Sequence, residues 1–237
     1  NKAIVHAFVI PYLKTTNWQD EVCQTSPTYN AQFGISGGNK TSNYYTSFNR
    51  FFQDGILKYS NFTRNSFRIN SRHQLTDWFK VGQNFNVTNY FRKRQNEQGL
   101  SASGLVGNPI TASILADPTE PVYDPRTEWE YLDLTSGIAN PVGILERKHY
   151  HYNTNRIQGT AFAEFELISN LIFKLNGGID RSWGFREEVW PSYFVGPNDA
   201  NNETLLTTEN EGWFNYLLEF TGNYKFSLGK SHVFNVL

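Results

Sequence analysis

The stretch FTRNSFRINSRHQLTDWFKVGQNFNVTNYF, residues 62 to 91, alternates apolar and polar side chains on both sides of a short polar turn. A period of two residues places successive side chains on opposite faces of a β-strand. Each half of the stretch therefore predicts a strand with one apolar and one polar face. The turn at residues 75 to 78 predicts that the two strands form a hairpin.

The same alternation recurs along most of the chain. It is present from residue 29 to 36 and 43 to 52, and again at 155 to 167, 170 to 185 and 214 to 228. A further strand begins at residue 230. We therefore predict seven strands and the start of an eighth, several of them longer than the usual 5 to 6 residues.

Short and long connections alternate between these strands. The turns at 75 to 78 and 168 to 170 are tight, whereas the connections at 92 to 153 and 186 to 211 are long. Tight turns at one end and long loops at the other are typical of outer-membrane barrels. We predict an all-β fold: an antiparallel, up-and-down transmembrane β-barrel segment with long extracellular loops. A soluble β-sandwich with an aromatic-rich core is the alternative.

Aromatic residues lie near both ends of the predicted strands. In a barrel they would form girdles at the two membrane interfaces. The girdle beside the tight turns would contain Trp78, Phe79 and Leu171. The girdle beside the long loops would contain Tyr90, Phe91, Trp183, Phe185 and Trp213.

Composition excludes several classes of protein. The 237 residues carry 21 basic and 22 acidic side chains, which gives no sign of a nucleic-acid-binding patch. The single cysteine, Cys23, allows no internal disulfide, and no apolar run reaches the ~18 residues of a membrane helix. We expect no cofactor and no enzyme activity. His149 and His151 could share a metal ion, but solvated histidines are the simpler interpretation.

An ordered set of short motifs resembles SusC-like (RagA-like) TonB-dependent outer-membrane transporters. The motifs are NWQDEV at 17, SGGNKTSNYYTSFNRFFQDGI at 36, the hairpin quoted above, PTEPVYDP at 118, NPVGILE at 140 and NRIQGTAFAEFELISNLIFKLNGGIDRS at 155. The resemblance implies a Gram-negative outer-membrane importer of oligosaccharides or peptides. It also implies a SusD-like surface lipoprotein as a lid, contact with outer-membrane lipid, and energy supplied through the TonB complex.

Seven or eight strands are fewer than the roughly 22 of plugged outer-membrane transporters. We therefore expect an internal fragment, in which residues 17–237 form part of the barrel and residues 1–16 have no assigned role. The part that contacts TonB would lie outside this sequence. A small intact outer-membrane barrel and a secreted all-β carbohydrate-binding module are the alternatives.

Two groups of residues are candidates for a functional site. The first is a charged row on the polar, lumen-facing side of the strands, where antiparallel pairing should bring Lys80 close to Glu164 or Glu166. These charges would either keep the lumen wet and contact a plug, or contact the substrate. The row consists of Arg64, Arg68, Arg72, Lys80, Glu164 and Glu166.

The second group lies in the long external loop, 92–153. Tyr123, Trp129 and Tyr131 stand there among several carboxylates. Aromatic rings beside carboxylates suit sugar binding and also suit contact with a protein lid. A loop of this length is usually functional or disordered. A loop that packs on its neighbours without a ligand is the alternative.

Overall fold

The computed structural model describes residues 15–93 and 108–237, except residues 129, 136, 148, 198 and 230. The expectations for residues 1–14 and for Trp129 therefore lie outside the described residues. Eight strands form one sheet: β1 (Thr28–Gly38), β2 (Ser42–Asp54), β3 (Asn61–Gln74), β4 (Phe79–Lys93), β5 (His149–Ile168), β6 (Leu171–Trp190), β9 (Leu205–Leu228) and β10 (His232–Val236). A separate hairpin contains β7 (Tyr193–Gly196) and β8 (Asp199–Asn201). The described residues also form three short helices: α1 (Trp18–Val22), α2 (Pro109–Leu115) and α3 (Pro141–Arg147).

The large sheet is an up-and-down meander. Its strands pair antiparallel in the order β1-β2-β3-β4-β5-β6-β9-β10, so each strand of the sheet is the spatial neighbour of the next one along the chain. This confirms the predicted antiparallel fold of seven strands and an eighth. In the described part of the chain, β1 pairs only with β2. The short strand β10 pairs only with the last five residues of β9, next to the turn that joins them. The sheet is therefore open at both edges.

One face of the sheet is apolar and exposed. Residues that lie side by side across the strands form apolar rows, such as the row Phe33, Phe48, Phe67, Val87 and Ile157. Phe33 is 66% exposed and Tyr216, in a neighbouring row, is 78% exposed. Among the described residues, every buried hydrophobic side chain except Tyr150 lies outside the strands of this sheet. The β-sandwich alternative is wrong, because a sandwich would bury the alternating aromatic rings in its core, whereas here these rings are exposed.

The exposed apolar face has the height of a membrane. It extends from the row of Phe67 down to the row of Phe79, five rows and nine residues per strand. Nine residues at about 3.3 Å each, tilted by about 40°, span about 23 Å, which is close to the apolar band of about 25 Å in an outer-membrane barrel. An asparagine row bounds the band at one end, where Asn89 donates hydrogen bonds to Asn153 at 2.8 Å and Asn155 at 3.0 Å.

Aromatic residues collect where the band ends. Near the tight turns, Trp78, Phe79 and Phe165 stack on one another, with ring centroids 4.7 to 6.4 Å apart. At the opposite end, pairing places Phe91 and Phe185 in one apolar-face row. Tyr90 and Trp213 lie on the polar face instead, so their assignment to a lipid-facing girdle was wrong. A shift of one residue along a strand moves a side chain to the other face.

The long connections and the start of the chain pack together at one end of the sheet. We call this assembly the cap; it contains α1, the turn at 55–60, residues 108–147 and the β7–β8 hairpin. Its hydrophobic core is formed by Trp18, Val22, Ala116, Val122, Leu134, Val142 and Leu145. The predicted irregular stretch 92–153 is thus partly folded, and β5 begins at His149 rather than near residue 155.

No helix among the described residues is long and apolar enough to cross a membrane.

Candidate functional site

The polar face of the sheet divides into two halves of different charge. On β1 to β4 its charged positions are all basic. On β5, β6 and β9 basic and acidic residues alternate across neighbouring strands. The basic positions of the first half are Arg64, Arg68, Arg72, Lys80 and Arg92.

The predicted charged row lies on this face, and one carboxylate joins its two halves. Lys80 stands directly opposite Glu164, as predicted from antiparallel pairing of the two strands. The Glu164 carboxylate, however, makes its ion pairs with Arg72 at 3.1 Å and Lys174 at 3.5 Å. Glu166 lies at the tight turn, where its side chain accepts a hydrogen bond from the backbone N–H of Asn170 at 3.3 Å. Sequence reasoning missed Lys174 as the third member of this charge cluster.

The second half of the polar face neutralises its own charges. Arg156 donates two hydrogen bonds to the Asp180 carboxylate, at 2.9 and 2.6 Å. Arg186 contacts Glu188 at 3.0 Å and Glu209 at 2.9 Å. Bidentate and charge-assisted hydrogen bonds of this kind hold both partners in place. These side chains stiffen this half of the polar face and have few hydrogen-bonding groups left for a ligand.

Three arginines of the first half have no such carboxylate partner among the described residues, and one of them, Arg92, instead lies 5.9 Å from the ring centroid of Tyr152. Arg64 and Arg68 make no ion pair among the described residues, and a depression of ≈ 360 Å³ opens beside them. Asparagine, serine, threonine and tyrosine side chains line the rest of this depression. A cationic, hydrogen-bonding surface of this kind can hold a polar or anionic group. That these arginines face a lumen remains a prediction.

In the cap, the structure brings two of the three predicted aromatic residues together. The rings of Tyr123 and Tyr131 stack with centroids 5.5 Å apart, across an isolated antiparallel bridge. The hydroxyl of Tyr131 donates a hydrogen bond to Glu146, and so does that of Tyr59, at 2.7 Å. Glu146 therefore ties the turn at 55–60 to the long connection.

These contacts decide what each tyrosine can do. Burial raises the pKa of Tyr131, and the hydrogen bond to Glu146 raises it further. The hydrogen bond to the same carboxylate is the main cause that raises the pKa of Tyr59. Both hydroxyls are engaged within the cap, so they are structural. Tyr123 is 41% exposed and keeps part of its ring open to a ligand or partner.

Several carboxylates of the long connection are also engaged. Glu120 accepts hydrogen bonds from the backbone N–H and the hydroxyl of Thr135, at 2.8 and 2.7 Å. The Asp124 carboxylate accepts from the Arg126 guanidinium and from its backbone N–H, which lowers the pKa of Asp124 to about 2. Both carboxylates stabilise the local backbone of the cap. Fewer carboxylates are therefore available for sugar binding than the sequence suggested.

A buried ion pair that sequence reasoning missed fastens the β7–β8 hairpin to α3. Asp199 is fully buried, and the Arg147 guanidinium lies 3.3 Å from its carboxylate. The same guanidinium lies 3.9 Å from the ring centroid of Tyr193. Asn140, also fully buried, donates its backbone N–H to Asp199 at 3.3 Å. These residues are far apart in sequence, and nothing in their spacing predicts the contact.

The described residues hold no group of three or more histidine, cysteine or acidic side chains placed to bind a metal ion. His151 lies beside the ring of Phe91, with centroids 5.9 Å apart.

No family model matches the chain. Individual proteins do match it. TonB-dependent receptor P26 of Formosa agariphila is 27% identical over 223 residues, which cover 91% of this chain and 21% of that protein. TonB-dependent receptor P3 of the same organism is 29% identical over 168 residues, 69% of this chain and 16% of that protein. The chain thus spans about a fifth of the length of the curated relatives it matches.

SusC of Bacteroides thetaiotaomicron, also a TonB-dependent receptor, is 24% identical over 77% of this chain and 20% of that protein. Among solved structures, the RagAB peptide importer in its closed-closed state superimposes with a TM-score of 0.77 at 20% identity, over 93% of this chain and 24% of that one. A second RagAB structure, described as a peptide transporter, gives the same TM-score at 19% identity. By name these proteins are receptors and transporters. The chain is similar in sequence to a part of TonB-dependent receptors, SusC among them, and has the fold of the matching part of RagAB.

Proposed function

We propose that the chain forms part of an outer-membrane, TonB-dependent nutrient importer of a Gram-negative bacterium. One observation carries the proposal: an eight-stranded antiparallel sheet exposes an apolar face about 23 Å high and carries polar side chains on its other face. Such a sheet suits contact with outer-membrane lipid on one side and a wet pore on the other. Residues 17–237 would then be barrel and cap, with residues 1–16 left without a role.

The proposal extends to substrate and partners. RagAB is described as a peptide importer, which supports uptake of a peptide. An oligosaccharide is the other substrate that the sequence resemblance implies. We propose that a SusD-like surface lipoprotein covers the cap and that the TonB complex drives import through another part of the transporter. Tyr123 offers a partly exposed ring at the cap for this lid or for the substrate.

The two alternatives to an importer segment fit the structure less well. A secreted carbohydrate-binding module would bury its alternate rings, yet Phe33, Tyr216 and Phe220 are exposed by two thirds or more of their surface. A small intact barrel requires β1 to pair with β10, and these strands stand at opposite edges of the sheet. Open edges are not tolerated in hydrocarbon, so further strands should complete the barrel.

Protease access to intact cells tests this placement. Arg126 is in the cap, with an 86% exposed side chain, whereas Lys40 is in the tight turn between β1 and β2. Trypsin added outside should cut the cap first and should reach Lys40 only after the outer membrane is permeabilised. Arg126→Gln should remove its cap cut and serve as the control. Protein recovered in the soluble fraction, or equal cleavage at both ends in intact cells, would refute the proposal.

A further inference from the structure

The polar face of β1 to β4 has an unbalanced charge. Its positions include five basic residues, and none of the described positions on this half of the face is acidic. Arg72 obtains a counter-charge from Glu164, on β5. Arg92 stacks over the ring of Tyr152, 5.9 Å from its centroid. Arg64 and Arg68 lie between these two, and neither makes an ion pair with an acidic residue in the described part of the chain.

The Arg64 guanidinium is held in place but is poorly satisfied. It lies 5.5 Å from the ring centroid of Phe51, and one terminal nitrogen is 3.5 Å from the side-chain oxygen of Asn49. Its Nε is buried and has no hydrogen-bond partner in the described part of the protein. Arginine keeps its charge at any physiological pH, so the group cannot avoid the cost by losing a proton. A guanidinium that is held in place and makes no ion pair among the described residues is suited to an acidic group from outside the chain.

Arg68 completes the site. It lies four residues from Arg64 on the same face of β3, and its side chain is exposed. Both arginines line the same ≈ 360 Å³ depression, together with Tyr45, Ser66 and Thr88. This volume lies in the range of small-molecule sites, and its lining is rich in hydrogen-bonding groups. Planar guanidinium groups match carboxylates in a bidentate geometry.

We propose that this depression, built on Arg64 and Arg68, binds a carboxylate group of a ligand. This inference rests on the proposed function: if the chain is part of an importer, the imported molecule is acidic. The carboxylate could belong to an acidic peptide or to a uronic-acid oligosaccharide, because the lining amides and hydroxyls serve either backbone. The neutral lining then binds the rest of the ligand.

Calorimetric titration of the purified protein in detergent tests the site. The probes are triglutamate and trigalacturonate, each with its uncharged counterpart, triglutamine and trigalactose. We expect at least one acidic probe to bind and its neutral counterpart to bind at least about tenfold more weakly, as for a lost charge-assisted hydrogen bond. Binding by one acidic probe identifies the source of the carboxylate, and binding by both means that the carboxylate alone is recognised. Equal binding of acidic and neutral probes, or no binding of either acidic probe, overturns the proposal.

Variants locate the binding. The double variant Arg64→Gln/Arg68→Gln should lower the association constant at least about tenfold. The matched control Lys225→Gln removes a cation from the polar face of β9, outside the depression, and should leave binding within about twofold. Unchanged circular dichroism confirms that both variants fold. Unchanged binding in the double variant overturns the proposal.

The outcome is separable from that of the proposed function. A protein that binds the acidic probes but is absent from the outer membrane would refute the importer and leave the carboxylate site intact. A protein that resides in the outer membrane but shows no preference for the acidic probes would refute the site alone.

Discussion

Replacing Phe85 by arginine tests which face of the sheet meets lipid. Phe85 lies on the apolar face of β4, in the row that contains Ile69 and Ile179. Its neighbour Asn84 lies on the polar face and is exposed. The two positions share one strand and one depth, so Asn84→Arg is a matched control for Phe85→Arg.

The magnitude follows from the depth of Phe85 in the band. The middle row of the five contains Gln83, two residues away, which places Phe85 about 5 Å from the midplane after allowing for the strand tilt. Arginine on the lipid face costs about 2–4 kcal/mol at the midplane and about 0–1 kcal/mol at the interface. We expect Phe85→Arg to cost about 2–3 kcal/mol. Phe91→Arg, above the asparagine row, should cost about 0–1 kcal/mol.

The assay is guanidinium unfolding of the protein in phospholipid vesicles. Phe85→Ala separates the loss of the ring from the cost of the charge, because the ring covers Gly159 and lies 2.9 Å from where a Cβ would stand. Asn84→Arg should stay within about 0.5 kcal/mol of the parent. Equal costs for Phe85→Arg and Asn84→Arg, or a larger cost at Asn84, would refute the assignment of faces.

Three further predictions concern the cap and a close contact in the sheet. The pKa of Tyr131 is raised, so its protonated phenol stabilises the cap below the ordinary tyrosine pKa of about 10, and this stability is lost as the pH rises further. In a pH titration of tyrosinate absorbance, Tyr131→Phe should therefore remove the part that titrates at the highest pH. An unchanged titration curve would contradict the burial of Tyr131. Asp199→Asn leaves Arg147 without its counter-charge and should destabilise the cap by about 3 kcal/mol, seen as faster proteolysis within 108–147 while the sheet stays protected; uniform proteolysis would argue against a local lock. Gly82→Ala places a Cβ within 2.5 Å of the Phe162 ring and should cost about 1–3 kcal/mol, whereas Gly177→Ala, with open space around it, should be close to neutral; equal effects would show that the ring does not cover Gly82.

The alternation of side chains was enough to predict the sheet. It assigned the faces of β3 and β4 correctly, because a period of two residues leaves no other way to separate Phe67 from Arg68. β4 and β5 each adjoin a tight turn at the same end of the sheet, and counting from these two turns places Lys80 opposite Glu164 as expected. The ion pairs could not be predicted from alternation and register. The flexible side chain of Arg72, on β3, reaches across β4 to Glu164 on β5.

The cap could not be predicted from periodicity. Its helices contain five to seven residues, too few to show an amphipathic pattern, and its core joins Trp18 to Leu134 and Leu145, which are distant in sequence. A local signal for two of the helices was nevertheless present. Both Asn108-Pro109 and Asn140-Pro141 put an asparagine at the N-cap and a proline at the first helical position. Only the fold itself brings Arg147 to Asp199.

A spin-label scan of β3 tests the central claim most directly. Single cysteines from Asn61 to Gln74, in a Cys23→Ser background, would each carry a nitroxide in protein reconstituted into lipid vesicles. We predict that accessibility to oxygen dissolved in the bilayer peaks at odd positions such as Phe67 and Ile69. Accessibility to a water-soluble nickel complex should peak at even positions such as Ser66 and Arg68. Accessibility without a two-residue period, or with the two peaks exchanged, would contradict a sheet whose alternate rings face lipid.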